Sequence, residues 1–223
     1  MKPNNNLNKM SLEQFITEFN IAVGSKYITK KVDEFNKSLI KRNIDVSFLK
    51  DIILEKQEYY RTYFQVSLAY RDSIADKFSF IDAHLAMLQD WWHVDEIMTF
   101  FGNKLSFNEA YDKATQYVKS ELPFVRRLGY VIFIPRLLKD SNNIEKLLKL
   151  LKNDKEYYVV MGEAWLISCL AVVDSQKIFS YLKECNLDYD IVGKAIQKIC
   201  DSYRISSEVK EQFKSLRLLK KNH

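Results

Sequence analysis

The sequence predicts an all-α fold, a right-handed superhelical solenoid of stacked helix pairs, on three observations. Only five Gly and three Pro stand among 223 residues, too few breakers for the tight turns of a strand-rich protein. Apolar residues recur at helical spacing through nearly everything after residue 10. Trp91, Arg127 and Trp165 are 36 and 38 residues apart, close to the period of stacked helix pairs, about 40 residues. Equivalent helices of successive pairs would then line one concave surface.

The elements follow in order. Ser11 caps a helix through Ala22, with Gln14 three residues on as the partner of a capping box, an apolar stripe of Leu12, Phe15, Ile16 and Phe19, and Gly24 as the stop. Further helices are expected at 29–42, 46–57, 60–74, 77–88, 91–101, 107–120, 124–138, 142–152, 156–172, 174–184, 189–201 and 206–220. Gly102-Asn103 closes one of them, and Ser106 with Glu109 opens the next as a capping box. Pro123 falls at a helix start, where a missing donor costs little, while Pro135 inside an apolar run should kink or split its helix. A weak internal repeat lays the segment from Pro123 to Tyr130 on that from Tyr157 to Ala164 at an offset of 34, with Ile191 to Lys194 a further step along. No linker or low-complexity stretch divides the chain, so one domain over 1–223 is expected.

Composition limits the function classes. The formal net charge is +5, from 34 basic and 29 acidic residues, a mild excess that does not by itself announce nucleic acid. After Asp188 the bases Lys194, Lys198, Arg204, Lys210, Lys214, Arg217, Lys220 and Lys221 outnumber the acids, which fits a phosphate-facing strip or a solvated helix face equally well. Cys169, Cys185 and Cys200 show no metal spacing and read as reduced core thiols. No apolar run reaches the roughly 18 residues of a membrane span, and the N-terminus lacks a signal-type apolar stretch, so a soluble, cytoplasmic protein is expected.

Few residues are candidates for chemistry. Trp91 and Asp95, four apart, share one helix surface, with Trp92 directed into the core. Trp91 also suits a buried aromatic, and Asp95 a surface acid or the partner of a nearby base. Of Arg126 and Arg127, one faces the groove and the other solvent or the neighbouring repeat. Trp165 reads as a groove residue or as core packing. His84 and His93 lack companions at metal-ligand intervals, so no metal is expected. Gly-rich phosphate loops and a nucleophile-elbow pattern are absent.

Four blocks in order carry a resemblance: Trp91-Trp92-His93-Val94-Asp95; Phe124-Val125-Arg126-Arg127-Leu128-Gly129-Tyr130-Val131; Tyr157-Tyr158-Val159-Val160-Met161 followed by Ala164-Trp165-Leu166; and Lys194 to Ile199 with Ser202-Tyr203-Arg204. From about Tyr60 to Ser215 the chain resembles the DNA alkylation repair family, the AlkD-like HEAT-repeat DNA glycosylases. Its first repeats, up to about residue 60, depart from that pattern: no proline stands between Pro3 and Pro123 where the family carries a Pro-x-Leu-Arg type stretch. Gly162-Glu163 before Trp165 is also more polar than the family's small apolar residues. Glu163 would face solvent or tune the groove.

The resemblance implies a HEAT-like repeat fold and excision of cationic N3- or N7-alkylated purines from duplex DNA, without base flipping and without a cofactor. It implies Asp95 as catalytic aspartate, Trp91 and Trp165 as flanking indoles, Arg127 as groove arginine on a phosphate, and Lys194 and Arg204 in the DNA-contacting C-terminal block. The partner would be double-stranded DNA containing alkylated purines, met by a monomer. A catalytically silent DNA-binding paralogue and a HEAT-repeat interaction scaffold are the alternative readings.

Overall fold

In a computed structural model describing residues 7–24, 28–101, 105–134 and 141–221, twelve α-helices form and no strand does among those residues. They are α1 (Leu12–Val23), α2 (Thr29–Lys41), α3 (Gln57–Ala69), α4 (Ile74–Asp82), α5 (Trp91–Thr99), α6 (Phe107–Tyr117), α7 (Pro123–Val131), α8 (Ile144–Leu148), α9 (Tyr157–Val173), α10 (Ser175–Glu184), α11 (Tyr189–Asp201) and α12 (Ser207–Lys221).

Where capping chemistry is legible, the expected boundaries hold. The Ser11 hydroxyl accepts from the Gln14 amide at 3.1 Å, and Gly24 ends α1 at φ 80, in the left-handed region that only glycine enters without strain. The Gln14 side chain turns to Glu18 instead of back to the cap, so that capping box is half made. At α6 it is complete: the Ser106 hydroxyl receives the Glu109 amide and Glu109 receives the Ser106 amide. Pro123 occupies the first turn of α7.

Four expected helices come out shorter or different, each for a local reason. Over 46–57 the chain forms a 3-10 turn at Ser47–Leu49 and further turns. The Asp45 carboxylate receives the Ser47 amide at 2.9 Å, and tight i to i+3 bonds then bring Val46, Leu49 and Ile53 inside. The helix expected over 77–88 begins earlier, because the Ser73 hydroxyl caps the Asp76 amide, and ends at Asp82. The segment 142–152 holds only a 3-10 turn and the short α8, since the Lys152, Asn153 and Asp154 amides all turn to the Glu163 carboxylate. Finally α7 stops at Val131, whereas Pro135 and Gly102-Asn103 lie outside the described residues.

The chain divides into two compact units, 1–87 with 99–104, and 88–98 with 105–223. The first is organised by aromatic rings: Phe15 packs against Phe19, Phe35, Phe48 and Tyr59, and Phe64 against Tyr60, Tyr63 and Phe80. In the second, α7 packs between α6 and α9, α9 also meets α10 and α11, and α11 meets α12. Its central helix α9 is apolar nearly all round, as an interior helix must be. Of the cysteines expected in the core, Cys169 is buried and Cys185 and Cys200 are half-buried; all three are free thiols. No described helix is long and apolar enough to cross a membrane.

Of two helix-facing glycines in the second unit, one sets a helix separation and the other does not. A Cβ on Gly129 of α7 would stand 2.7 Å from Val118 Cγ1, 3.1 Å from the Val118 nitrogen and 3.3 Å from the Ala114 carbonyl oxygen, and backbone atoms cannot step aside. A Cβ on Gly162 of α9 would meet Arg127 Cγ at 3.4 Å, an ordinary contact. Alanine gains about 1 kcal/mol of helix propensity over glycine, while overpacking costs about 1–3 kcal/mol. Gly129→Ala is therefore expected to lower the urea midpoint, and Gly162→Ala to leave it unchanged or raise it. Equal midpoints for the two variants would show that α6 and α7 do not approach this closely.

Candidate functional site

The second unit brings Asp95 and Arg127 together. Asp95 lies one turn into α5, and both its oxygens accept from Arg127 Nη2, at 2.9 and 3.3 Å. Arg127 Nη1 donates to the Tyr158 carbonyl oxygen at 3.0 Å, at the start of α9. The arginine is 5% exposed, whereas the Asp95 side chain keeps 27% of its surface, so the carboxylate is the solvent-facing member of the pair. The Arg127 stem lies against Gly162 of α9, where even an added Cβ would make only an ordinary contact with it.

Asp95 is electrostatically strained. Burial raises its carboxyl above the usual aspartate value, and the positive charges of Arg127 and Lys198, with the Arg127 hydrogen bonds, pull the other way without cancelling it. Lys198, on α11, also stands with its Nζ 6.0 Å from the centroid of Trp165 on α9. Carboxylate, guanidinium, ammonium and indole thus share one neighbourhood. On sequence Lys198 is one base of the C-terminal strip, and its place beside Trp165 and Asp95 comes from helix packing.

Of the two tryptophans of α5, Trp92 sits differently from the sequence expectation. Trp91 is 45% exposed, one helical turn before Asp95. Trp92, expected in the core, is only half-buried, its ring 3.9 Å from that of His93. His93 takes the interior place: its Nδ1 accepts from the Gln89 and Asp90 amides, both at 3.0 Å, just before α5. Burial brings its pKa down to about 4, so it is a neutral cap at physiological pH. Trp165 is half-buried.

Arg126 and Glu163 have structural positions. Arg126 donates to Asp154 from Nε at 2.6 Å and Nη2 at 3.2 Å, and to the Ser120 and Glu121 carbonyls. Glu163 does not face solvent. It is fully buried, accepts the Lys152, Asn153 and Asp154 amides, and has its carboxyl raised chiefly by burial. Lys194 stands over the Tyr157 ring at 5.6 Å. Arg204 is exposed between α11 and α12, with its charge acting on Cys169. No group of three or more potential metal ligands occurs among the described residues.

The contacts also fix direction. Phe124 meets Tyr158 and Arg127 meets Gly162 between α7 and α9, while Tyr157 meets Lys194 and Trp165 meets Lys198 between α9 and α11. Numbers rise together in both pairs, so α7, α9 and α11 run the same way, as equivalent helices of a repeat do. The offset of 34 read from sequence is the separation of Phe124 and Tyr158.

No curated protein and no solved structure matches the chain in comparison with known proteins. The family model described as DNA alkylation repair enzyme matches residues 23–200. That match begins well before Tyr60, taking in helices expected to be divergent, and stops short of the Ser202-Tyr203-Arg204 block. Because it spans most of the sequence and includes Asp95, Arg127 and Trp165, the chain belongs to the DNA alkylation repair enzyme family.

Proposed function

We propose that this protein is a DNA glycosylase that hydrolyses the N-glycosidic bond of cationic N3- or N7-alkylated purines in duplex DNA, the lesion staying in the helix. The observation that carries the reading is the half-open Asp95 carboxylate, fixed by Arg127 and neighboured by Lys198 and the Trp165 indole. In this reading the helix pairs belong to a right-handed HEAT-like superhelix whose concave side takes the DNA.

The chemistry asks little of an acid. As the bond from C1′ to the base breaks, its electron pair goes to the purine nitrogen and neutralises a base that was already positive. The sugar acquires oxocarbenium character, and water adds to C1′ as its proton passes to the Asp95 carboxylate. Asp95 opposes the sugar charge and orients the water. Trp91 and Trp165 offer electron-rich faces to the same cation, each contributing about 0.5–2 kcal/mol. We assign Arg127 the task of holding Asp95 rather than gripping a phosphate, because it is buried and both its terminal nitrogens are engaged. Lys194 and Arg204 are the candidate phosphate contacts.

The direct test is release of free 7-methylguanine or 3-methyladenine from alkylated duplex DNA. Asp95→Asn is expected to slow single-turnover release by ~10²–10³ while leaving DNA affinity intact. Tight binding without any release by the wild type would identify a silent binder, and no salt-dependent DNA affinity would identify a scaffold.

Ionised Asp95 is the working form, and its pKa lies above the ordinary aspartate value. Activity should therefore fall, on acidification, through a limb centred above the ordinary aspartate value. Lys198 favours the ionised form, so Lys198→Met should move that limb to higher pH and Lys198→Arg should restore it. A limb unmoved in Lys198→Met would separate Lys198 from Asp95.

Phosphate contacts are read from the salt dependence of binding, whose log–log slope changes by about 0.9 for each phosphate neutralised. Arg127→Met is expected to leave that slope unchanged and to lower stability by about 3 kcal/mol in urea titration, since Asp95 loses its buried partner. A slope reduced by one phosphate would return Arg127 to the DNA backbone.

A further inference from the structure

Beside the Asp95 site lies an aromatic corner that the excision chemistry does not use. Tyr157 and Tyr158 open α9, and their rings meet nearly at right angles, 81°, with centroids 5.1 Å apart. Phe124 backs Tyr158 at 5.6 Å. The two tyrosines are 59% and 39% exposed, and Lys194 places its ammonium 5.6 Å from the Tyr157 centroid. Two exposed rings in contact, backed by a half-buried third and with a cation beside them, are more than the scattered exposed aromatics of an ordinary surface.

The corner is also fastened to the site. The Tyr158 carbonyl oxygen accepts from the same guanidinium that holds Asp95, at 3.0 Å on one side and 2.9 Å on the other. Anything bound at the corner is within one arginine of the proposed reacting carboxylate. Its chemistry selects the occupant. Glu156 precedes Tyr157 and repels a phosphate set directly on the corner, so ring faces and not an anion cradle are what it offers. A planar ring stacked on one tyrosine would have its edge bounded by the other. Its flanking phosphate would lie toward Lys194.

We propose that Tyr157 and Tyr158 form a stacking site for one unpaired nucleobase of the bound DNA, with Lys194 taking the adjoining phosphate. This rests on the DNA-repair reading above. Base-on-aromatic stacking is tolerant of sequence, so the site would register the loss of pairing beside a lesion and not the identity of the base.

The test uses the full chain and three duplexes of one sequence: fully paired, carrying a single bulged adenine, and carrying a bulged abasic residue with the same backbone. The wild type is expected to bind the bulged adenine about 5- to 100-fold more tightly than the abasic bulge. Tyr157→Ala, at an exposed position, should remove most of that preference, Tyr157→Phe should keep it, and affinity for paired duplex should hardly change in either. Fluorescence of 2-aminopurine in the bulge should be quenched by the wild type and not by Tyr157→Ala. Equal affinity of the wild type for the two bulges overturns the proposal and leaves the corner to some other partner, such as protein. Loss of binding to all three duplexes by the wild type overturns the DNA reading instead.

Discussion

A single guanidinium holds the candidate site together. Arg127 belongs to α7, reaches Asp95 on α5 and the Tyr158 carbonyl on α9, and is almost wholly out of water. Burying a charge is costly unless charge and hydrogen bonds are returned, and here one carboxylate and one carbonyl return them. Its Nε is buried without a partner, so the balance is not lavish. A lysine could not substitute, because the two acceptors lie in different directions and only a planar fork serves both at fixed angles.

The neighbouring residue does the opposite job with the same chemistry. Arg126 turns to the loop before α9, where Asp154 receives it, and Glu163 receives three successive amides of that loop from inside α9. Asn153 stands there at φ 59, a left-handed backbone that asparagine tolerates, and exchanges hydrogen bonds with Asp188 at the start of α11. The outcome is that α7, α9 and α11 are tied at their beginnings by one polar network while their bodies pack through apolar faces. Adjacent arginines are thereby committed, one to the loop and one to the carboxylate.

Helix existence was legible wherever a hydroxyl or carboxylate capped and a glycine or proline stopped, as at Ser11, Gly24, Ser106 and Pro123. It failed where side chains bind backbone more strongly than the helix would. Asp45 diverts the chain into a 3-10 turn, and Glu163 takes the Lys152 amide at the end of the segment expected as one helix. Neither effect has a period in the sequence. Asp95, Arg127 and Trp165 could be named as candidates because they fall on apolar helical segments at nearly regular spacing. Their ranking could not, since burial decides it: Trp91 and Trp92 differ by one register step, and His93, not Trp92, takes the interior place. The role of Glu163 depends on amides of the loop before its own helix, and that of Lys198 on contacts between helices, which one sequence does not display.

The state of Asp95 gives the proposed selectivity a physical basis. Its raised pKa means that the ionised carboxylate is less well satisfied in the folded protein than in water, even with Arg127 and Lys198 beside it. By linkage this ionisation costs the fold stability above the raised pKa, and the cost disappears as pH falls and the proton returns. A protein keeps such a deficit where something bound later removes it. A purine carrying a positive charge, and a sugar acquiring one, would each supply what the carboxylate lacks, the second more strongly because that charge grows as the bond breaks. A neutral base supplies nothing in the ground state. It also leaves as an anion, for which this carboxylate is the wrong neighbour.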